Sequence, residues 1–123
     1  MKIDIGTRNF EVDGKIRDYA QDKLRALEKY LPRRSRGVAM VQATLEEDVS
    51  GREDNRFVCE AVMTVPGETL VSREGTVNMF AAVDIVEAKL KTQLVRYKDK
   101  HTLEPRRNRM VAKWLEHQGR LES

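Results

Sequence analysis

"FVCEAVMTVPGETLVSREG", residues 57–75, decides the fold. Phe57, Cys59, Ala61, Met63 and Val65 alternate with Val58, Glu60, Val62 and Thr64, the two-residue period of a half-buried strand. Pro66, Gly67 and Glu68 turn the chain, and 69–75 reads as the next strand. Upstream, 38–46 reads as a strand with Val41, Ala43 and Leu45 facing one way, joined through the polar hairpin loop "DVSGREDN". Three consecutive strands with connections this short form an antiparallel meander, because a crossover needs more chain. The pattern predicts Phe57, Ala61 and Met63 under a helical layer and Glu60 in solvent.

Working outward, "KIDIG" at 2–6 places Ile3 and Ile5 on one face of a first strand. Asp13 reads as an N-cap, although Gly14 weakens the turn that follows. Ile16, Ala20, Leu24, Leu27 and Leu31 then recur at the spacing of an amphipathic helix that ends near Pro32. Asn78 caps a second helix, read here as ending near Lys100. The element order is β-α-β-β-β-α. That predicts an α+β two-layer sandwich, a four-stranded sheet with both helices on one face. Residues 1–101 form the domain; 102–123 form a basic tail or linker, with a short amphipathic helix over 110–121 as the other reading.

The chain has 123 residues, which suits one domain. No apolar run approaches the ~18 residues of a membrane span, and "MKIDIGTRNF" lacks an apolar signal segment. A cytoplasmic protein is expected. Cys59 is the sole cysteine, so an internal disulfide and a multi-cysteine zinc site are excluded. It reads as a small buried residue. His101 and His117 are the only histidines, and both lie at or beyond the last helix. No glycine-rich phosphate loop follows a strand, and the acidic run 46–54 lacks the spacing of a calcium loop. No enzyme, metal, cofactor or small-molecule substrate is expected.

Charge is unevenly spread. The whole chain is +3, whereas residues 88–109 alone carry Lys89, Lys91, Arg96, Lys98, Lys100, Arg106, Arg107 and Arg109 against Asp99 and Glu104. Such asymmetry suits a polyanionic partner. On a wheel of the last helix, Met79, Val83, Val86, Leu90, Leu94 and Tyr97 fall within roughly 80° of one another and form the buried stripe. Lys89, Arg96 and Lys100 line one flank; Lys91 and Lys98 line the other. The first helix adds Arg17, Lys23, Arg25 and Lys29, interleaved with acids. Lys23 falls inside the apolar stripe and is expected to snorkel outward. A solvated helix face accounts for the same pattern, since cations favour a helix C-terminus.

"MFAAVDIVEAKLKTQLVRYKDK", residues 79–100, resembles the signature of the ribosome hibernation promoting factor family, also called ribosome-associated inhibitor or sigma-54 modulation protein. The family pattern is close to D-M-Y-A-A-I-D followed by D-K-L-x-R-Q-L-x-K-x-K-x-K. Met79, Ala81, Ala82, Asp84, Lys89, Leu90, Gln93, Leu94, Lys98 and Lys100 match it. "GTRNFEV" at 6–12 resembles the family's first strand and turn, and "DKLRALEKYL" at 22–31 its first helix. The resemblance implies a fold similar to a double-stranded RNA-binding domain. It implies a ribosome partner, bound at the small-subunit decoding region through its rRNA, with messenger RNA and tRNA excluded and translation silenced in stationary phase or stress. Lys23, Arg25, Lys29, Lys89, Lys91, Arg96, Lys98 and Lys100 are the candidate RNA contacts, in a chain expected to act as a monomer.

The chain departs from the pattern. Asn78 and Phe80 stand for Asp and Tyr. Lys91 and Arg25 each sit one position before the family's cation, which falls on Thr92 and Ala26, a rotation of about 100°. Long family members append a second domain, and the chain reads either as a short form or as a fragment. A rival reading is a protein-interaction module of the sigma-factor-modulating kind, docking through its surface or through Met110, Val111, Trp114 and Leu115.

Overall fold

A computed structural model of the chain describes the backbone of residues 1–50 and 53–122, and the side chains of 1–50 and 54–100. Four strands, β1 (Lys2–Arg8), β2 (Met40–Glu47), β3 (Phe57–Val65) and β4 (Glu68–Thr76), lie in the order β1-β2-β3-β4. β2, β3 and β4 form the expected antiparallel meander. β1 pairs parallel with β2, setting Ile3 beside Val41 and Ile5 beside Ala43. Parallel pairing needs a crossover, and helix α1 (Gly14–Arg25) supplies it. At the β3–β4 turn, Gly67 adopts φ 82°, the conformation that a turn with proline in its first central position demands of the second.

The register is the predicted one. Ala61 and Met63 are fully buried, while Glu60 is half-exposed and reaches Arg73 on β4 at 3.1 Å. Phe57 is partly buried against the core, its ring edge-on to Phe10 at 6.1 Å. Val58 faces away from the helices yet is buried beside Gly75, where Asn55 comes in so close that a Cβ on Gly75 would lie 3.0 Å from it.

Both helices begin as their caps direct. Asp13 Oδ1 accepts from the Ile16 amide at 2.9 Å, and Asn78 Oδ1 accepts from the Ala81 amide at 2.8 Å. The first helix was expected to run evenly to Pro32. It is α-helical only to Arg25 and tightens into a 3-10 turn over Ala26–Tyr30. Pro32 pushes Leu31 into an extended conformation (φ −85°, ψ 144°), and the last turn contracts to satisfy its carbonyls. Leu27 and Leu31 stay fully buried through the change.

Helix α2 (Met79–Glu122) presents the predicted stripe: Met79, Val83, Val86, Leu90, Leu94 and Tyr97 are all buried, joined by Ala82. Together with Val41, Ala43 and Leu45 of β2 and Ala20 and Leu24 of α1 they form one core between the sheet and the helices. The backbone of α2 continues past Lys100, where the sequence suggested an end. A helical proline such as Pro105 costs about 3 kcal/mol, but Leu103, Glu104, Arg106 and Arg107 around it are strong helix formers. The side chains of 101–123, Trp114 among them, lie outside the described residues, as does the reading of that segment as a basic tail or linker.

Cys59 is buried, and burial pushes its thiol up to about 12, which removes it from nucleophilic chemistry. Among the described residues no group of His, Cys, Asp and Glu could hold a metal ion, and no helix is long and apolar enough to cross a membrane.

Candidate nucleic-acid interface

The two-layer packing turns one side of each helix toward the sheet and leaves the cations on the other. The eight candidate cations then divide by their partners. Lys23 does snorkel: its ammonium lies over the Tyr19 ring, 5.6 Å from the centroid, and reaches Asp84 on α2 at 3.4 Å. The Tyr19 hydroxyl donates to the same carboxylate. That bond, with burial and the carboxylate charge, raises the Tyr19 pKa; Asp84 in turn raises the Lys23 pKa. Arg25 donates to the Met1 carbonyl at 2.6 Å and approaches Glu28 at 3.6 Å. Lys89 pairs with Glu74 on β4 at 2.5 Å. Two of these three, Lys23 and Arg25, come from the first helix, and all three are engaged by acids.

Lys29, Lys91, Arg96, Lys98 and Lys100 form no ion pair among the described residues, and all five are exposed. Two of them converge. Lys29 from the 3-10 turn and Lys91 from α2 each place an ammonium 5.3 Å from the centroid of the Tyr30 ring. The ring's π cloud attracts each cation without cancelling its charge. The one-residue rotation of Lys91 relative to the family pattern therefore brings it against Tyr30. On the opposite flank, Arg96 and Lys100 border a depression that Glu68, Leu70, Gln93 and Tyr97 also line. A second depression crosses the crest of α2 between Lys91 and Arg96.

The flank facing β4 is also tied to the sheet. Gln93 donates to the Val71 carbonyl at 3.0 Å, and the Tyr97 hydroxyl donates to the Pro66 carbonyl at 2.8 Å. Both bonds hold α2 along the exposed edge of the sheet, where unpaired strand groups would otherwise face solvent.

Sequence reasoning missed three contributors. Tyr30 carries the Lys29–Lys91 pair. Asp84 neutralises Lys23. Phe80, half-exposed, packs edge-on against Tyr19 at 5.1 Å, so the missing tyrosine hydroxyl leaves an aromatic contact intact. An aromatic residue next to a cation, as in "EKYLPRR", was the one available signal for Tyr30. The acids Asp84 and Glu74 gave none, because their partners are distant in sequence.

The arrangement is similar to known proteins. The N-terminal domain of Protein Y from Thermus thermophilus superposes with a TM-score of 0.66 at 26% identity, covering 79% of this chain and 99% of that one. A ribosome hibernation promoting factor from Azotobacter vinelandii is 29% identical over 101 residues, 81% of this chain and 85% of the relative. A ribosome hibernation promotion factor from Lactococcus lactis is 28% identical over 106 residues, and there the chain spans only 54% of the relative's length. Residues 3–102 match the family model described as sigma 54 modulation protein / S30EA ribosomal protein, and with its strand order and its α2 pattern the chain belongs to that family.

Proposed function

We propose that this chain is a ribosome hibernation factor that works by binding alone. It docks on small-subunit rRNA at the decoding region, as a monomer in the cytoplasm, and excludes messenger RNA and tRNA, so that translation falls in stationary phase or stress. The observation that carries the reading is the set of exposed cations, Lys29, Lys91, Arg96, Lys98 and Lys100, that form no ion pair among the described residues. Relatives named as ribosome hibernation promoting factors support it. Phosphate backbones are recognised by such cations, and each contact releases counterions.

Nothing in this mechanism needs a cofactor or turnover. The fold supplies a rigid two-layer body, and α2 presents its cations along both flanks of its exposed face. Co-sedimentation with ribosomes on a sucrose gradient, with and without competing tRNA, tests it. The chain should travel with the small subunit and be displaced by tRNA. In a translation extract, inhibition should saturate near one chain per ribosome. Binding indifferent to tRNA, or inhibition of many ribosomes by one chain, would overturn the reading.

A further inference from the structure

The crest of α2 between Lys91 and Arg96 has a composition that phosphate binding alone does not call for. The depression there is lined by Ala88, Lys91, Thr92, Val95 and Arg96. Val95 is 41% exposed, one of seven large apolar side chains left in solvent among the described residues. The Thr92 hydroxyl turns back to the Ala88 carbonyl at 3.2 Å, so its polar group serves the helix backbone. The floor is therefore apolar and its two sides are cationic. Lys91 and Arg96 are five residues apart, a rise of about 7.5 Å along the helix. On the Lys91 side the cation is doubled, because Lys29 shares the Tyr30 ring.

Two like charges on one ring, neither in an ion pair with a described residue, favour an anion. An apolar floor beside them favours something flat and apolar attached to that anion. A nucleic-acid duplex offers phosphates and base edges but hides its base faces in the stack. An unpaired strand offers both, phosphates for the cations and a base face for the floor. We propose that this crest seats an unpaired RNA segment, with its phosphates on Lys29, Lys91 and Arg96 and one base face on Val95 and Thr92. The proposal rests on the RNA-binding reading above and narrows it to unpaired RNA.

Fluorescence anisotropy of the full chain with a labelled oligouridine, and with a fully paired RNA duplex of equal length, tests the seat across a salt titration. The unpaired strand should bind more tightly at every salt concentration. The double change Lys29→Ala, Lys91→Ala should lower the salt slope by about 1.4, two single-strand contacts at about 0.7 each. Val95→Ser should weaken binding several-fold with the slope unchanged, because the contact it removes is not ionic. Val95 is exposed, so its variant should keep the parent melting temperature. Equal or tighter duplex binding, no binding of the unpaired strand, or a Val95→Ser variant that binds like the parent would overturn the seat. A parent chain that co-sediments with ribosomes yet gives any of those results overturns this inference alone; a parent that does not co-sediment overturns the hibernation reading.

Discussion

Residues 79–100 of α2 carry one buried stripe throughout, but the two halves of this segment differ in what their charged side chains meet. In the first half, up to Leu90, charged side chains find partners on neighbouring elements: Asp84 takes the Tyr19 hydroxyl and Lys23 from α1, and Lys89 takes Glu74 from β4. In the second half, Lys91, Arg96, Lys98 and Lys100 form no ion pair with a described residue, although Glu68 lines the same depression as Arg96 and Lys100. The cause is what each half passes over. The first half crosses α1 and the acidic end of β4. The second crosses the 3-10 turn, where Lys91 meets the Tyr30 ring and the one carboxylate, Glu28, is already paired with the Met1 ammonium and Arg25. Charged side chains thus form a structural clasp in 79–90 and an exposed electrostatic surface in 91–100.

The sharpest break in this comparison is to erase the second half's charge. Lys91→Ala, Arg96→Ala, Lys98→Ala and Lys100→Ala together should lower the salt slope of ribosome binding by about three units, at 0.7 to 0.9 per lost contact. None of the four is buried, so each should change stability by less than about 0.5 kcal/mol. A quadruple variant that sediments like the parent across the salt titration would mean the free cations are only a solvated face.

The opposite change converts the first half into a copy of the second. Asp84→Asn keeps an acceptor for Tyr19 but frees Lys23 from its ion pair, leaving Glu87 as a weaker acidic neighbour. The slope should steepen by up to about one unit. Tyr19 supplies an internal control. Its pKa is raised chiefly by the bond to Asp84, so its contribution to stability is complete below the unfolded tyrosine value and is lost as pH rises through the folded one. In the Asn variant, tyrosinate absorbance should develop at lower pH than in the parent. An unchanged titration would show that Asp84 does not hold this cluster.

Lys89→Ala should do less. Its ammonium is engaged by Glu74, so the slope should change by well under one unit, and the lost exposed pair should cost no more than about 1 kcal/mol. A full unit lost from the slope would put Lys89 on the RNA and end the division between the halves. Gln93→Ala should not alter the slope at all. It removes the bond to the Val71 carbonyl, so stability should fall by about 1 kcal/mol. Because β4 is the edge of the sheet, gel filtration of this variant should also show more self-association. A changed slope with unchanged stability would place Gln93 on the ligand instead.

Much of the molecule was legible in its sequence because periodicity and caps are local. The alternation in 57–65 gave the register of β3, and the three-and-four spacing from Met79 to Tyr97 gave the buried face of α2. Asp13 and Asn78 announced both helix starts, since an N-cap needs only a side-chain oxygen three residues from an amide. Even the flanks on which Lys89 and Lys91 lie followed from the helical repeat alone. The family pattern in 79–100 then carried the resemblance to ribosome-binding proteins.

Which cations are free was decided only by the tertiary structure. Lys23 and Asp84 are on different helices, Lys89 and Glu74 on a helix and a strand, and Lys29 and Lys91 meet on a ring that belongs to a 3-10 turn. The parallel seat of β1 on β2 was likewise settled by packing, because a strand pattern names its buried face but not its neighbour. The physical reason is common to both. Hydrophobic period and capping are set by residues a few positions apart, whereas pairing and charge neutralisation act over a few ångströms between segments whose approach exists only after the chain has folded.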